Sequence, residues 1–228
     1  MISFRTMAFS VLCVAICSSL GAAQDLSKYR DFEFGMSIES VAKLAAMNPS
    51  AAKTVHQRPE LIQKLDWDVH GYFDTSPNVD SVRNIRFDFY NGELFKIVVT
   101  YDTAQTNGLT TDDLVESLSA RYGPAGKPET SIIVSDFQAY NDSQQVLARW
   151  ENTQYSYNLF RSSYGWSFGL VAFSKRLESM ASAANREAER LEKLEAPARE
   201  SARQKKLEED GQASQEKARL ISKPKFRP

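Results

Sequence analysis

Asp66-Trp67-Asp68-Val69-His70 places two carboxylates and an imidazole at alternate positions, with Asp74 close behind. In an extended strand such positions project to one side. Oxygen and imidazole donors gathered there suit a divalent ion. Asp66, Asp68 and His70 are therefore the metal candidates, and an enzyme or metal-binding domain centred on them is the alternative function. The competing reading is an exposed strand edge or loop with solvated polar side chains. A triplet without a second histidine has low specificity. His56, the other histidine, reads as an ordinary surface residue.

Gly165-Trp166-Ser167-Phe168-Gly169 spells the G-x-S-x-G pattern of serine hydrolases. That motif needs a strand before it, a helix after it and a histidine further along. Here a turn precedes it, a strand-like run follows, and no histidine comes after His70. The pattern reads instead as a strand with Trp166, Phe168 and Leu170 on its buried face. Asp112-Asp113 reads as first-turn helix acids rather than a catalytic pair. No glycine-rich phosphate loop is present, so no cofactor is expected. A net charge of −1 predicts no general attraction to nucleic acid, and the strands lack the basic pattern of a base-stacking platform.

The elements that hold these residues follow from local signals. Ser37 can cap a helix burying Ile38, Val41, Leu44 and Ala45, with Met36 stapled against Val41; Asn48-Pro49 stops it. A shorter helix is predicted to open at Pro59 and bury Leu61, Ile62 and Leu65. Ile85, Phe87 and Phe89 alternate with polar or amphipathic neighbours, and Asn91-Gly92 turns the chain into Phe95, Ile97, Val99 and Tyr101. A two-residue turn would oppose Phe87 to Lys96 and mix the faces. The reading is a three-residue loop, Tyr90 to Gly92, with Gly92 in a bulge and Phe87 opposite Phe95. Thr110 or Thr111 caps the next helix, and Gly123-Pro124 ends it. Strand-like runs follow at 146–150, 155–160 and 166–174, with a shorter one at 131–134. Helix then strands occurs twice, in the manner of an internal duplication. The expected fold is α+β, an antiparallel sheet with helices packed on one face.

The ends set the organisation. Arg5, the apolar stretch from Met7 to Leu20 and Gly21-Ala22-Ala23 predict a signal peptide over 1–23. The stretch falls short of the roughly 20 residues a membrane-spanning helix needs, which disfavours a retained anchor. No later segment approaches its hydrophobicity, so no transmembrane segment is expected in the mature chain. Cys13 and Cys17 are the only cysteines and leave with this leader, so the mature domain over 24–176 must hold together through its core. Val14-Ala15-Ile16-Cys17 is a poor lipobox because Ile16 precedes the cysteine. The expected location is periplasmic or secreted.

Composition changes at Leu177. Residues 178–220 are rich in Ala, Glu, Lys, Arg and Gln and lack aromatic residues, and they favour helix by propensity. Leu177, Ala184 and Leu191 recur at heptad spacing with Met180 and Leu194 between, while Glu187 interrupts the intermediate row, giving a sparse coiled-coil seam. Pro197 kinks or divides this helix. Only positive charges occur among Lys217, Arg219, Lys223, Lys225 and Arg227, a solvated tail or a contact for an anionic membrane surface. The stretch 177–228 is thus a charged helical arm with a basic tail, and its 177–220 part is expected to meet a protein partner or a second copy.

Phe34-Gly35-Met36-Ser37-Ile38-Glu39-Ser40-Val41, Phe89-Tyr90-Asn91-Gly92-Glu93-Leu94, Tyr122-Gly123 and Arg149-Trp150 together resemble uncharacterised exported bacterial proteins, over most of the mature chain. That resemblance implies no activity. Gly35-Met36-Ser37 leading a helix also looks like the opening of BamE/SmpA-type envelope domains, lipoproteins that assist outer-membrane protein assembly. The second likeness covers only that short segment, and the poor lipobox departs from it. The resulting expectation is an exported, non-catalytic binding or structural protein whose arm contacts a partner.

Overall fold

The computed structural model describes residues 25–69, 80–134, 143–162, 167–225 and 227. The predicted leader and both cysteines lie outside them. In chain order the described residues form β1 (Lys28–Tyr29), β2 (Phe32–Glu33), α1 (Ile38–Leu44), β3 (Lys53–His56), β4 (Ile62–Asp68), β5 (Val82–Tyr90), β6 (Glu93–Tyr101), α2 (Thr111–Tyr122), β7 (Ser131–Ile133), β8 (Ser143–Glu151), β9 (Tyr155–Arg161), β10 (Phe168–Ser174) and α3 (Lys175–Ser222). This is an α+β fold built on one antiparallel sheet of order β3-β4-β5-β6-β10-β9-β8-β7. A helix followed by a four-strand meander occurs twice, and the last strands of the two meanders, β6 and β10, pair at the sheet centre.

Both short helices form where their caps dictate. The Ser37 hydroxyl accepts from Ser40 N–H, and Ile38, Val41 and Ala42 are buried. At α2, Thr110 and Asp113 close a reciprocal capping box, so two otherwise orphaned donors are satisfied. α1, α2 and the β1–β2 hairpin cover one face of the sheet, called here the inner face. Leu65, Ile85, Phe87, Phe89, Ile97, Val99, Trp150, Tyr157 and Leu170 form its core beneath Val41, Phe32 and Tyr122. The Trp150 indole N–H donates to Gly123 O at 2.8 Å.

Burial pushes the Tyr29 hydroxyl up to about 12 and that of Tyr101 well above its usual 10. It also raises those of Tyr122 and Tyr157. A raised phenol favours its protonated form in the folded state. The associated stability is complete below pH 10 and, for Tyr29, is lost as pH rises through about 12. Phenolate absorbance followed beside circular dichroism is expected to show these four of the nine tyrosines ionising only as structure is lost. All nine ionising near pH 10 with the spectrum intact would contradict that burial.

Two local expectations are corrected. The helix predicted to open at Pro59 is instead β4, paired with β5 from Ile62 opposite Tyr90 to Asp68 opposite Asn84. Leu65 and Trp67 join or pack on the inner core, while buried Ile62 and Lys64 point the other way. A strand covered on both sides shows no simple alternation. The β5–β6 turn is also tighter than the three-residue loop expected. Tyr90 pairs with Glu93 across Asn91 and Gly92, both left-handed at φ 49° and 83°. A bulge one pair further in leaves Phe95 without an opposite residue and sets Phe87 opposite Ile97. The apolar face survives by this route. Leu94 donates to Met36 O and accepts from Gly35 N–H, both at 2.8 Å, so the segment entering α1 takes up β6 backbone beyond the last β10 pair, Phe173 with Lys96.

Gly169 shows why one glycine must stand in a central strand. A Cβ there would lie 2.3 Å from Phe160 Cζ and 2.9 Å from Val99 O. Gly169→Ala is therefore expected to cost about 1–3 kcal/mol through overpacking, read as a lower urea midpoint. An unchanged midpoint would mean that the Phe160 ring does not lie across this strand.

Candidate functional site

α3 is the element that distinguishes this chain from a simple helix-on-sheet domain. It starts directly after β10, two residues before the compositional change at Leu177, and crosses the outer face of the first meander. Leu177, Ala181 and Ala184 pack with Ile62, Tyr90 and Phe95. Alanine at these positions allows the helix backbone to approach the aromatic residues closely, and Ala188 continues the buried row.

Charges fix the same root. On the outer face Lys64, Asp88 and Lys96 stand in cross-strand sequence on β4, β5 and β6. Asp88 is fully buried and accepts from Arg86 Nε at 3.0 Å. Lys96 Nζ lies 3.5 Å from the Glu178 carboxylate of α3. Lys175 meets Glu151 at 2.7 Å. At the sheet edge Arg58 makes two contacts with Glu195, at 3.0 and 3.2 Å. His56 Nδ1 lies 3.7 Å from Glu192. His56 is thus partly covered by α3, with 19% of its side chain exposed, rather than an ordinary surface histidine.

Beyond this edge the helix continues alone. Residues 196–225 are all exposed. Leu194, Leu207, Leu220 and Ile221 are between 60% and 63% exposed, and the ion pairs Glu200–Arg203 and Glu216–Arg219 lie within the helix itself. Starting a helix is the unfavourable step, whereas extending one adds a hydrogen bond per residue. The docked root supplies that nucleus. At 1.5 Å per residue, 196–222 spans about 40 Å. Pro197 sits inside α3 without ending it. No helix among the described residues is long and apolar enough to cross a membrane.

The other sequence candidates separate. Asp66 and Asp68 project to the same side of β4 and are exposed, with Asp66 3.7 Å from Lys53 Nζ. His70 and Asp74 lie outside the described residues, as do Gly165 and Trp166. Phe168–Ser174 is a strand, whereas a nucleophile elbow requires a helix there. Asp113 serves the α2 cap, accepting from Thr110 N–H and Oγ1 at 2.7 Å each. Sequence reasoning placed Leu177 and Ala184 in a coiled-coil seam rather than against the sheet, and missed Ala181, Ala188 and the buried Lys64, Asp88 and Lys96. The spacing of Leu177, Ala181, Ala184 and Ala188 was the available signal.

No family model, curated protein or solved structure matches this chain.

Proposed function

We propose that this chain is an exported, non-catalytic binding or structural protein in which the α+β body holds a helical arm out to a protein partner or to a second copy. One observation carries the reading: α3 is buried only as far as Ala188 yet continues to Ser222 with large apolar side chains in water. The leader pattern over 1–23 supports export to the periplasm or beyond. A rooted helix presents its far half with little orientational freedom, which lowers the entropy lost on association.

The test is a photocrosslinking residue placed at Leu207 of the full chain in its native cell, with another at exposed Lys53 as control. Sedimentation of the full chain is compared with a chain ending after Ala196, which retains the docked root. Discrete adducts from position 207 alone, or self-association lost on truncation, would support the reading. A monomeric full chain with no adduct specific to position 207 would sink it.

The alternative, a divalent-metal site at Asp66, Asp68 and His70, draws on the shared side of the two exposed carboxylates. Zinc titration of the mature chain beside His70→Ala separates the two functions: affinity lost with the imidazole would favour the metal site, and no titratable binding would remove it.

A further inference from the structure

A second feature lies away from α3, where α2, the end of β6 with its following loop, and the β1–β2 turn meet. They enclose a cleft of about 410 Å³ lined mainly by carbon. That volume lies within the roughly 300–1,000 Å³ of small-molecule pockets. Leu114 and Leu118 of α2 form one wall and the rings of Tyr29, Tyr101 and Tyr122 another, while Leu109 lies at the lip, 40% exposed.

The polar groups around this apolar space are unevenly satisfied. Arg30, at the left-handed φ of 55° in the β1–β2 turn, is clamped by both oxygens of Asp80, so its charge is matched and its position fixed. Asp113 is held by the α2 cap. The Arg121 guanidinium sits 5.8 Å from the Tyr122 ring centroid, and among the described residues it forms no ion pair with a carboxylate. The Tyr29 and Tyr101 phenols are neutral at physiological pH, as ordinary phenols are, and can donate. Apolar walls, neutral donors and one cation without a paired acid fit a guest with an apolar body and a carboxylate.

We infer that this cleft binds a small amphiphilic acid, its aromatic or branched aliphatic body between the α2 leucines and the tyrosine rings and its carboxylate against Arg121. The site is independent of the arm and of its partner.

Calorimetric titration of the mature full chain with 4-phenylbutyrate and with 4-phenylbutanol tests this. The acid is expected to bind saturably and about tenfold more tightly than the alcohol, the size of one charge-assisted contact. Arg121→Gln is expected to reduce acid binding to the level of the alcohol. Ser117→Trp, which fills the cleft, is expected to abolish binding of both. Arg121 and Ser117 are exposed on α2, so circular dichroism should be unchanged in both variants. No saturable binding of the acid, equal affinity for acid and alcohol, or binding that survives Ser117→Trp would each overturn the inference.

Discussion

Asp88→Ala is expected to lower the unfolding free energy by about 3–5 kcal/mol, the cost of leaving a buried charge without its partner. The Asp88 carboxylate is fully buried and bonded to Arg86, whose own side chain is only 17% exposed. Lys64 and Lys96 flank it across the strands and are buried as well. Its removal leaves three cations close together beneath or beside α3, where Glu178 meets Lys96. Asp88→Asn keeps the shape and one acceptor, so it should fall between wild type and alanine. Urea denaturation of the three chains measures this. A loss below about 1 kcal/mol for the alanine variant would place Asp88 among solvated surface ion pairs.

Ala181→Glu is expected to detach the root of α3 while leaving the inner core folded. Ala181 is 1% exposed between the helix and the sheet. Overpacking costs about 1–3 kcal/mol, and burying an unpaired carboxylate adds several more. Leu177 and three alanines make up the buried row, and one fully buried leucine contributes only about 1.5–3 kcal/mol. The substitution therefore outweighs the docking but does not touch the inner face. Trypsin should then cleave at Arg176, Arg186 and Arg190 far faster than in wild type, with the strands still protected. Removing the edge ion pair with Glu195→Ala should have a much smaller effect, because Arg58 is 71% exposed and such pairs contribute about 0.2–1 kcal/mol. Equal cleavage rates in wild type and Ala181→Glu would mean that the root is not docked.

The legible parts of the fold were those decided locally. Ser37, Thr110 and Asp113 announce their helices because a cap is satisfied within three residues. The strands β8, β9 and β10 followed from alternation and turn residues. Missed features depend on contacts remote in sequence. Pro59, Leu61, Ile62 and Leu65 imitate a helix start, and only the ladder with β5 makes them a strand. Nothing within the hairpin reveals that Gly35 and Met36 will take up the backbone of Leu94, or that Phe95 will stand unopposed in a bulge.

The candidate arm was visible by composition, but its root was not. Alanine signals helix propensity as strongly as it signals close packing, so Ala181, Ala184 and Ala188 look the same in a docked helix and in a free one. Lys64, Asp88 and Lys96 likewise read as the solvent side of strands until α3 is placed over that face. The tyrosine cleft gathers Tyr29, Tyr101 and Tyr122 from three separate elements, a convergence that no spacing rule encodes.

Hydrogen exchange along α3 in the intact mature chain tests the central claim most directly, because amide protection reports which helical turns open alone and which open with the fold. A docked root predicts that amides from 181 to 188 exchange about as slowly as those of β6, with protection falling steeply beyond 195 and lowest over 200–222. Equal, rapid exchange along the whole of α3 would show that the helix is not rooted on the sheet, and the account of a body that positions an arm would fail.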